Sequence, residues 1–171
     1  MPRLLVRLIF LLGMAIGLTT CNPFAPALDQ EGLSRVDLLG DPSSVDGFFQ
    51  LFKNAYELRD TTLYGSLFTP DFLFAYYDPD LGQEFQWDRD TEMGISQNLF
   101  SQVIQITLDW NYYVQIDTTD TTGLVVRSFN LTITEDEDNA YIGSGRARME
   151  LKRSRIGEAW KASYWFDDSD F

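Results

Sequence analysis

From Ile104 to Ile116 every second residue is apolar: Ile104, Ile106, Leu108, Trp110, Tyr112, Val114 and Ile116. Gln105, Thr107, Asp109, Asn111, Gln115 and Asp117 take positions between them. Successive side chains of a strand point to opposite faces, so this run reads as one long strand with a single face against a core. A bend is expected near Trp110. Three further alternating runs follow. Val125, Arg127, Phe129, Leu131 and Ile133 share one face of the first, and Gly143, Gly145, Ala147, Met149 and Leu151 one face of the second. Trp160, Ala162, Tyr164 and Phe166 share a face of the last. Turn residues at 118–123, the acidic run 135–139 and Gly157 separate them.

Upstream the period changes. Val45, Phe48, Phe49, Phe52, Ala55 and Tyr56 fall at helical spacing behind Ser43 and Ser44 as caps. A short helix over 61–67 should stop before Pro70, because the residue before proline disfavours helical backbone. Asp71 to Tyr77 reads as a short aromatic strand, and Asp90 to Gln102 as a helix whose stripe is Met93, Leu99 and Phe100. Helices first and strands after give an α+β chain: N-terminal helices packed on a strongly curved antiparallel sheet, a cone-shaped half-barrel. Apolar residues make up 44% and aromatics 15%, enough for one packed core.

Before the domain lies a different kind of segment. Arg3 and Arg7 precede the uncharged stretch 8–18, which is too short for the roughly 20 residues a spanning helix needs. A positive start, a short apolar run and then Leu18-Thr19-Thr20-Cys21 form the pattern of an export signal. The run 18–21 resembles the lipobox of bacterial lipoproteins, although Thr20 stands where glycine or alanine is commoner. This resemblance implies cleavage after residue 20, diacylglycerol on the sulfur of Cys21 and often a third acyl chain such as palmitate on the new amine. Two or more chains anchor stably where one does not. Asn22 after the cysteine resembles the outer-membrane sorting pattern of Gram-negative cells. Expected boundaries are a lipoprotein signal peptide over 1–20, a flexible tether rich in proline and glycine over 21–43, and the domain over 44–171.

Charge and missing residue types narrow the function. The whole chain carries −13, and loss of Arg3 and Arg7 leaves 11 cations against 26 acids. Such a surface repels phosphate backbones, so no nucleic-acid partner is expected. It also repels anionic head groups, so membrane contact should come through the lipid on Cys21. With no histidine and one cysteine there is no Ser-His-Asp or Cys-His chemistry, no His-ligated metal and no intrachain disulfide. No cofactor or metal is expected, and any acid–base work must use a carboxylate or a tyrosine.

Several local features resemble the nuclear transport factor 2-like (SnoaL-like, cystatin-like α+β) superfamily. They are Ala55-Tyr56 and Arg59-Asp60 at the end of the first helix, then Leu67-Phe68-Thr69-Pro70-Asp71-Phe72 and Trp87. The helix after Asp90 and the closing stretch 157–162 with Trp165 and Asp167 complete them. The resemblance covers residues 44–168. It implies a pocket between the helices and the concave sheet face, and pairing through the outer sheet face, where Val103, Tyr113, Val126 and Trp165 are the apolar residues expected. It implies no activity, since that fold carries isomerases, cyclases, dehydratases, binders and assembly domains.

The candidate pocket residues are Tyr56, Tyr64, Phe74, Tyr76, Trp110, Tyr112, Arg127, Phe129, Trp160 and Tyr164, with Arg127 as polar anchor. An envelope lipoprotein with a non-enzymatic binding or interaction domain, holding an apolar small ligand in its cone, is the leading expectation. The alternative is an isomerase- or cyclase-type enzyme using a pocket carboxylate and tyrosines, with Tyr56, Tyr64, Tyr76, Tyr112 and Asp78 as its candidates. Alternation sends Asp109 and Asp117 away from the core, so no catalytic residue is assigned. A buried carboxylate reaching the cavity would separate the two.

Overall fold

A computed structural model describes residues 38–169. The signal segment, Cys21 and the tether up to residue 37 lie outside the described residues. The last part of the expected tether is held: the Pro42 carbonyl accepts from Trp160 N–H at 2.7 Å and the Ser43 carbonyl from Arg153 at 3.0 Å. Asn54 likewise donates to the Leu39 carbonyl at 2.9 Å.

Helix α1 (Val45–Glu57) opens on Ser44, whose hydroxyl accepts from Gly47 N–H. It ends in a left-handed cap at Arg59 (φ 54), where Arg59 N–H bonds the Tyr56 carbonyl and Asp60 N–H the Ala55 carbonyl. Asp60 then turns its carboxylate to the free amides of Thr62 and Leu63 and starts helix α2 (Thr61–Ser66). The tripeptide Leu58-Arg59-Asp60 thus closes one helix and opens the next. Strand β1 (Phe68–Asp78) is longer than the aromatic run alone suggests, and the turn after it leads into strand β2 (Gln83–Asp88), which the sequence does not announce. Helix α3 (Arg89–Gln102) is capped by Asp88.

Strands β3 (Gln105–Thr118), β4 (Thr122–Thr134), β5 (Ala140–Lys152) and β6 (Lys161–Ser169) complete a single sheet of order β2-β1-β6-β5-β4-β3. The pairs are antiparallel except β1 with β6, which is parallel and irregular between Phe68 and Leu73, where Pro70 has no N–H to donate. The helices cover one face and share a core of Phe48, Phe49, Phe52, Phe68, Phe72, Val125, Met149 and Leu151 with the strands.

Three bulges, two in β3 and one in β6, overturn the simple alternation. In β3 one extra residue enters between Trp110 and Tyr113 and a second between Tyr113 and Gln115. Each β-bulge reverses which residues face inward. Tyr113 therefore turns onto Phe49, with ring centroids 5.9 Å apart, and Tyr112 is left 72% exposed. In β6, Glu150 pairs with Tyr164 but Leu151 with Ala162, so Ser163 is the extra residue. Trp165 moves inward, 7% exposed, and Tyr164 moves out of the core face. The bulges also remove two members of the expected outer apolar set, since Trp165 is buried and Tyr113 faces the helix; Val103 is buried as the C-cap of α3, and Val126 stays half-buried. Large apolar side chains exposed on these strands are instead Tyr112, Val114, Ile116, Tyr141 and Ile142, although Val114 and Ile116 belong to the alternating set expected on the core face.

Candidate functional site

Between α1, α3 and the concave sheet lies a cavity of about 150 Å³. Phe52 and Tyr56 of α1 form one wall, and Ile95, Ser96 and Leu99 of α3 another, with Glu92 beside them. Phe74, Trp87, Leu108, Trp110, Phe129, Leu131, Trp165 and Asp167 come from the strands. Its aromatic frame is tightly interlocked. Phe74 and Trp87 stack at 4.5 Å, and Phe52 meets both Trp110 and Trp165 edge-on at 5.5 and 5.4 Å. A wider cleft of about 650 Å³ adjoins it, lined by Tyr76, Tyr77, Asp78, Pro79, Asp80 and Ser169. Phe74, Trp87 and Asp167 belong to both walls.

Glu92 is 4% exposed yet fully partnered. Tyr64 Oη donates to its Oε1 at 2.6 Å, Ser96 Oγ to the same oxygen at 2.9 Å, and Trp87 Nε1 to Oε2 at 2.8 Å. Tyr56 stands beside Tyr64 and Ser96 in the same network. Burial, reinforced by the Glu92 charge, pushes the Tyr56 phenol far above its usual range, and burial does the same to Tyr64. Both tyrosines are therefore neutral hydrogen-bonding groups at any physiological pH.

Asp167 is the second carboxylate and is only half satisfied. Ser169 Oγ donates to its Oδ2 at 3.2 Å, while Oδ1 is buried without a partner. Burial pushes its carboxyl up to about 6. The Ser169 hydrogen bond opposes this, and the charges of Asp168 and Glu92 add to it. Three further buried polar atoms lack partners: Thr69 Oγ1, on a residue outside the cavity wall, and Trp110 Nε1 and Trp165 Nε1, on residues that line the cavity. One acceptor and two donors are thus left unpaired on residues that line one apolar space, where each unmade hydrogen bond costs about 1–3 kcal/mol. A cavity of this volume suits a benzene-sized group. Among the described residues no cluster of three or more acidic or thiol side chains is arranged to hold a metal ion.

Of the candidates from sequence, Tyr56, Phe74, Trp110 and Phe129 line the cavity, and Tyr76 lines the adjoining cleft. Tyr64 is fully buried behind the wall, packed on Phe52 and Tyr56 and bonded to Glu92, and does not line the cavity. Tyr112 and Tyr164 are turned away by the bulges. Trp160 is buried beneath Arg153, whose guanidinium lies 4.0 Å above its ring, and it is not part of the cavity wall. Arg127 does not anchor the cavity either. It stacks over Tyr113 at 4.3 Å, donates to the Tyr113 hydroxyl and the Asn111 carbonyl, and lines a separate cleft with Asp46, Lys53 and Asp109. Asp78 caps its own turn by accepting from the amides of Asp80 and Leu81.

Sequence reasoning missed Glu92, Ser96, Trp87, Trp165 and Asp167 as site residues. Glu92, Ser96 and Phe100 recur every fourth residue and form the buried stripe of α3. That spacing was legible, but two polar members hid it behind Met93 and Leu99.

No protein-family model and no curated protein sequence matches the chain. Solved structures do resemble it. A protein of unknown function from Mycobacterium tuberculosis superposes with a TM-score of 0.59 at 14% identity, over 74% of this chain and 69% of that one. A structure provisionally described as a scytalone dehydratase, from Novosphingobium aromaticivorans, gives 0.62 at 13% identity over 74% and 82%. A provisionally described dehydratase of the NTF2-like family from Streptomyces avermitilis gives 0.58 at 17% over 74% and 94%.

Proposed function

Starting from the nuclear transport factor 2-like fold that this chain has, we propose that it is a small-molecule-binding domain whose cone takes up a ring-sized, largely apolar molecule bearing a polar group. The observation that carries this is the set of three unpaired buried polar atoms on residues that line one apolar cavity: Asp167 Oδ1, Trp110 Nε1 and Trp165 Nε1. A packed core leaves such atoms unpaired at a cost, whereas a bound polar group completes them.

One observation favours chemistry as well as binding. A carboxyl held near 6 in an apolar wall is a base suited to neutral pH, and two indole N–H groups in the same wall are donors for an oxygen that gains charge. Asp167 would then remove a proton beside a carbonyl, as an isomerase or dehydratase does. The buried carboxylate that distinguishes the enzyme reading is present in this wall, and the same fold carries structures described as dehydratases.

Cyclohexanone in heavy water tests both readings. Three of the four tryptophans line the cavity, so occupancy is expected as a saturable change in tryptophan emission. Exchange of the ketone's α hydrogens, followed by NMR and lost in Asp167→Asn, would establish proton abstraction. Saturable binding without exchange would leave a binding domain, and neither signal would sink the pocket.

We also propose that the domain is held at a bacterial envelope membrane by lipid on Cys21, with the segment before residue 38 as spacer. Labelled palmitate should enter the full chain, and Cys21→Ser should release it to the soluble fraction. Unchanged fractionation of that variant would refute the anchor.

A further inference from the structure

We propose that the molecule held in this cone is an organic cation, a ring bearing a protonated amine, seated between Glu92 and Asp167. This rests on the cavity being a small-molecule site, and goes further by naming the charge of its occupant. The ionisable lining has one sign. Glu92 and Asp167 line the inner cavity, Asp78 and Asp80 line the adjoining cleft, and neither wall contains lysine or arginine.

Glu92 gives this asymmetry its force. Its three partners are a phenol, a hydroxyl and an indole, all neutral, and all three donate. None of the three is a cation that could balance a negative charge on this carboxyl. Among the described residues no lysine or arginine forms an ion pair with it. A charge this deeply buried normally has a countercharge nearby. The arginines around it are engaged elsewhere: Arg89, three residues earlier on α3, donates to the Gly65 carbonyl, and the Arg127 guanidinium bonds Tyr113 and Asn111 and faces a different cleft.

The remaining wall suits the same occupant. Phe52, Phe74, Trp87, Trp110, Phe129 and Trp165 surround the cavity, and indole faces attract cations more strongly than other side chains do. Asp167 Oδ1 is buried and unpaired, so an ammonium N–H would satisfy it while also offsetting the Glu92 charge, and an acceptor elsewhere on the ligand would serve the Trp110 and Trp165 N–H groups. Carboxylates and phosphates, including nucleotide-bearing cofactors, meet only like charge here.

Three probes of equal ring size separate this from its alternatives: benzylamine, benzyl alcohol and benzoate, titrated into the full chain at pH 7 by calorimetry and tryptophan fluorescence. Benzylamine is expected to bind at least tenfold more tightly than benzyl alcohol, and benzoate more weakly than either. Asp167→Asn and Glu92→Gln should each weaken benzylamine binding severalfold more than benzyl alcohol binding, so that the amine preference falls. Alcohol binding equal to or tighter than amine binding would overturn the charge assignment and leave the pocket intact. Binding of none of the three would overturn both.

Discussion

Replacing Glu92 by alanine should lower the stability of the domain by about 3 kcal/mol, as a shift in the urea unfolding midpoint with an unchanged slope. The carboxylate is the common acceptor for Tyr64, Ser96 and Trp87, which come from α2, α3 and β2. Truncation orphans three buried donors at once and opens space beneath Phe52 and Tyr56. Glutamine should behave differently. Its amide oxygen can accept from Trp87, which can only donate, while the two hydroxyls rotate to accept from the amide nitrogen. Glu92→Gln is therefore expected within about 1 kcal/mol of the parent, since it keeps the network and removes a buried charge. Equal losses in the two variants would mean that charge, not hydrogen bonding, is what the fold needs at this position. No loss in either would mean the network is slack.

Asp167→Asn should stabilise the domain at pH 7 by about 2–3 kcal/mol, several degrees in melting temperature. Burial raises the Asp167 carboxyl from its ordinary 3.8 to about 6, so the folded chain holds this proton more tightly than the unfolded chain does. The stabilisation that protonation brings is complete below about pH 4 and is lost as pH rises through 6. At neutral pH the folded state carries a partly buried charge with one oxygen unpaired. Asparagine removes that charge and keeps an acceptor for Ser169. The gain should shrink as pH falls and vanish near pH 4, where Asp167 is already neutral. Unfolding curves of variant and parent that coincide at pH 7 would contradict this. A residue that costs stability at working pH, in the wall of a cavity, is what a binding or reacting group looks like energetically.

These two carboxylates also mark where the sequence stops being readable. Ser44, the apolar face of α1 and the alternation of β4 and β5 are local patterns, fixed by helix capping and by the two periods, and each survives into the structure. The end of α1 was legible as Arg59-Asp60, although the left-handed backbone that makes it work was not. The cone and its helical cover follow from that order of elements. What tertiary structure alone decided is which side chains enter the cone. One inserted residue in β6 carries Trp165 and Asp167 inward and Tyr164 out, and the insertions in β3 exchange Tyr112 for Tyr113. In each case two neighbouring aromatic residues could serve either register equally well by composition. The choice is made by pairing with the next strand and by the space under α1, which are contacts across the fold and leave no mark in the local pattern. Glu92 is the same lesson on a helix. An acid in the first turn of α3 reads as solvent-facing, and only the convergence of Tyr64, Trp87 and Ser96 onto one point makes its burial tolerable.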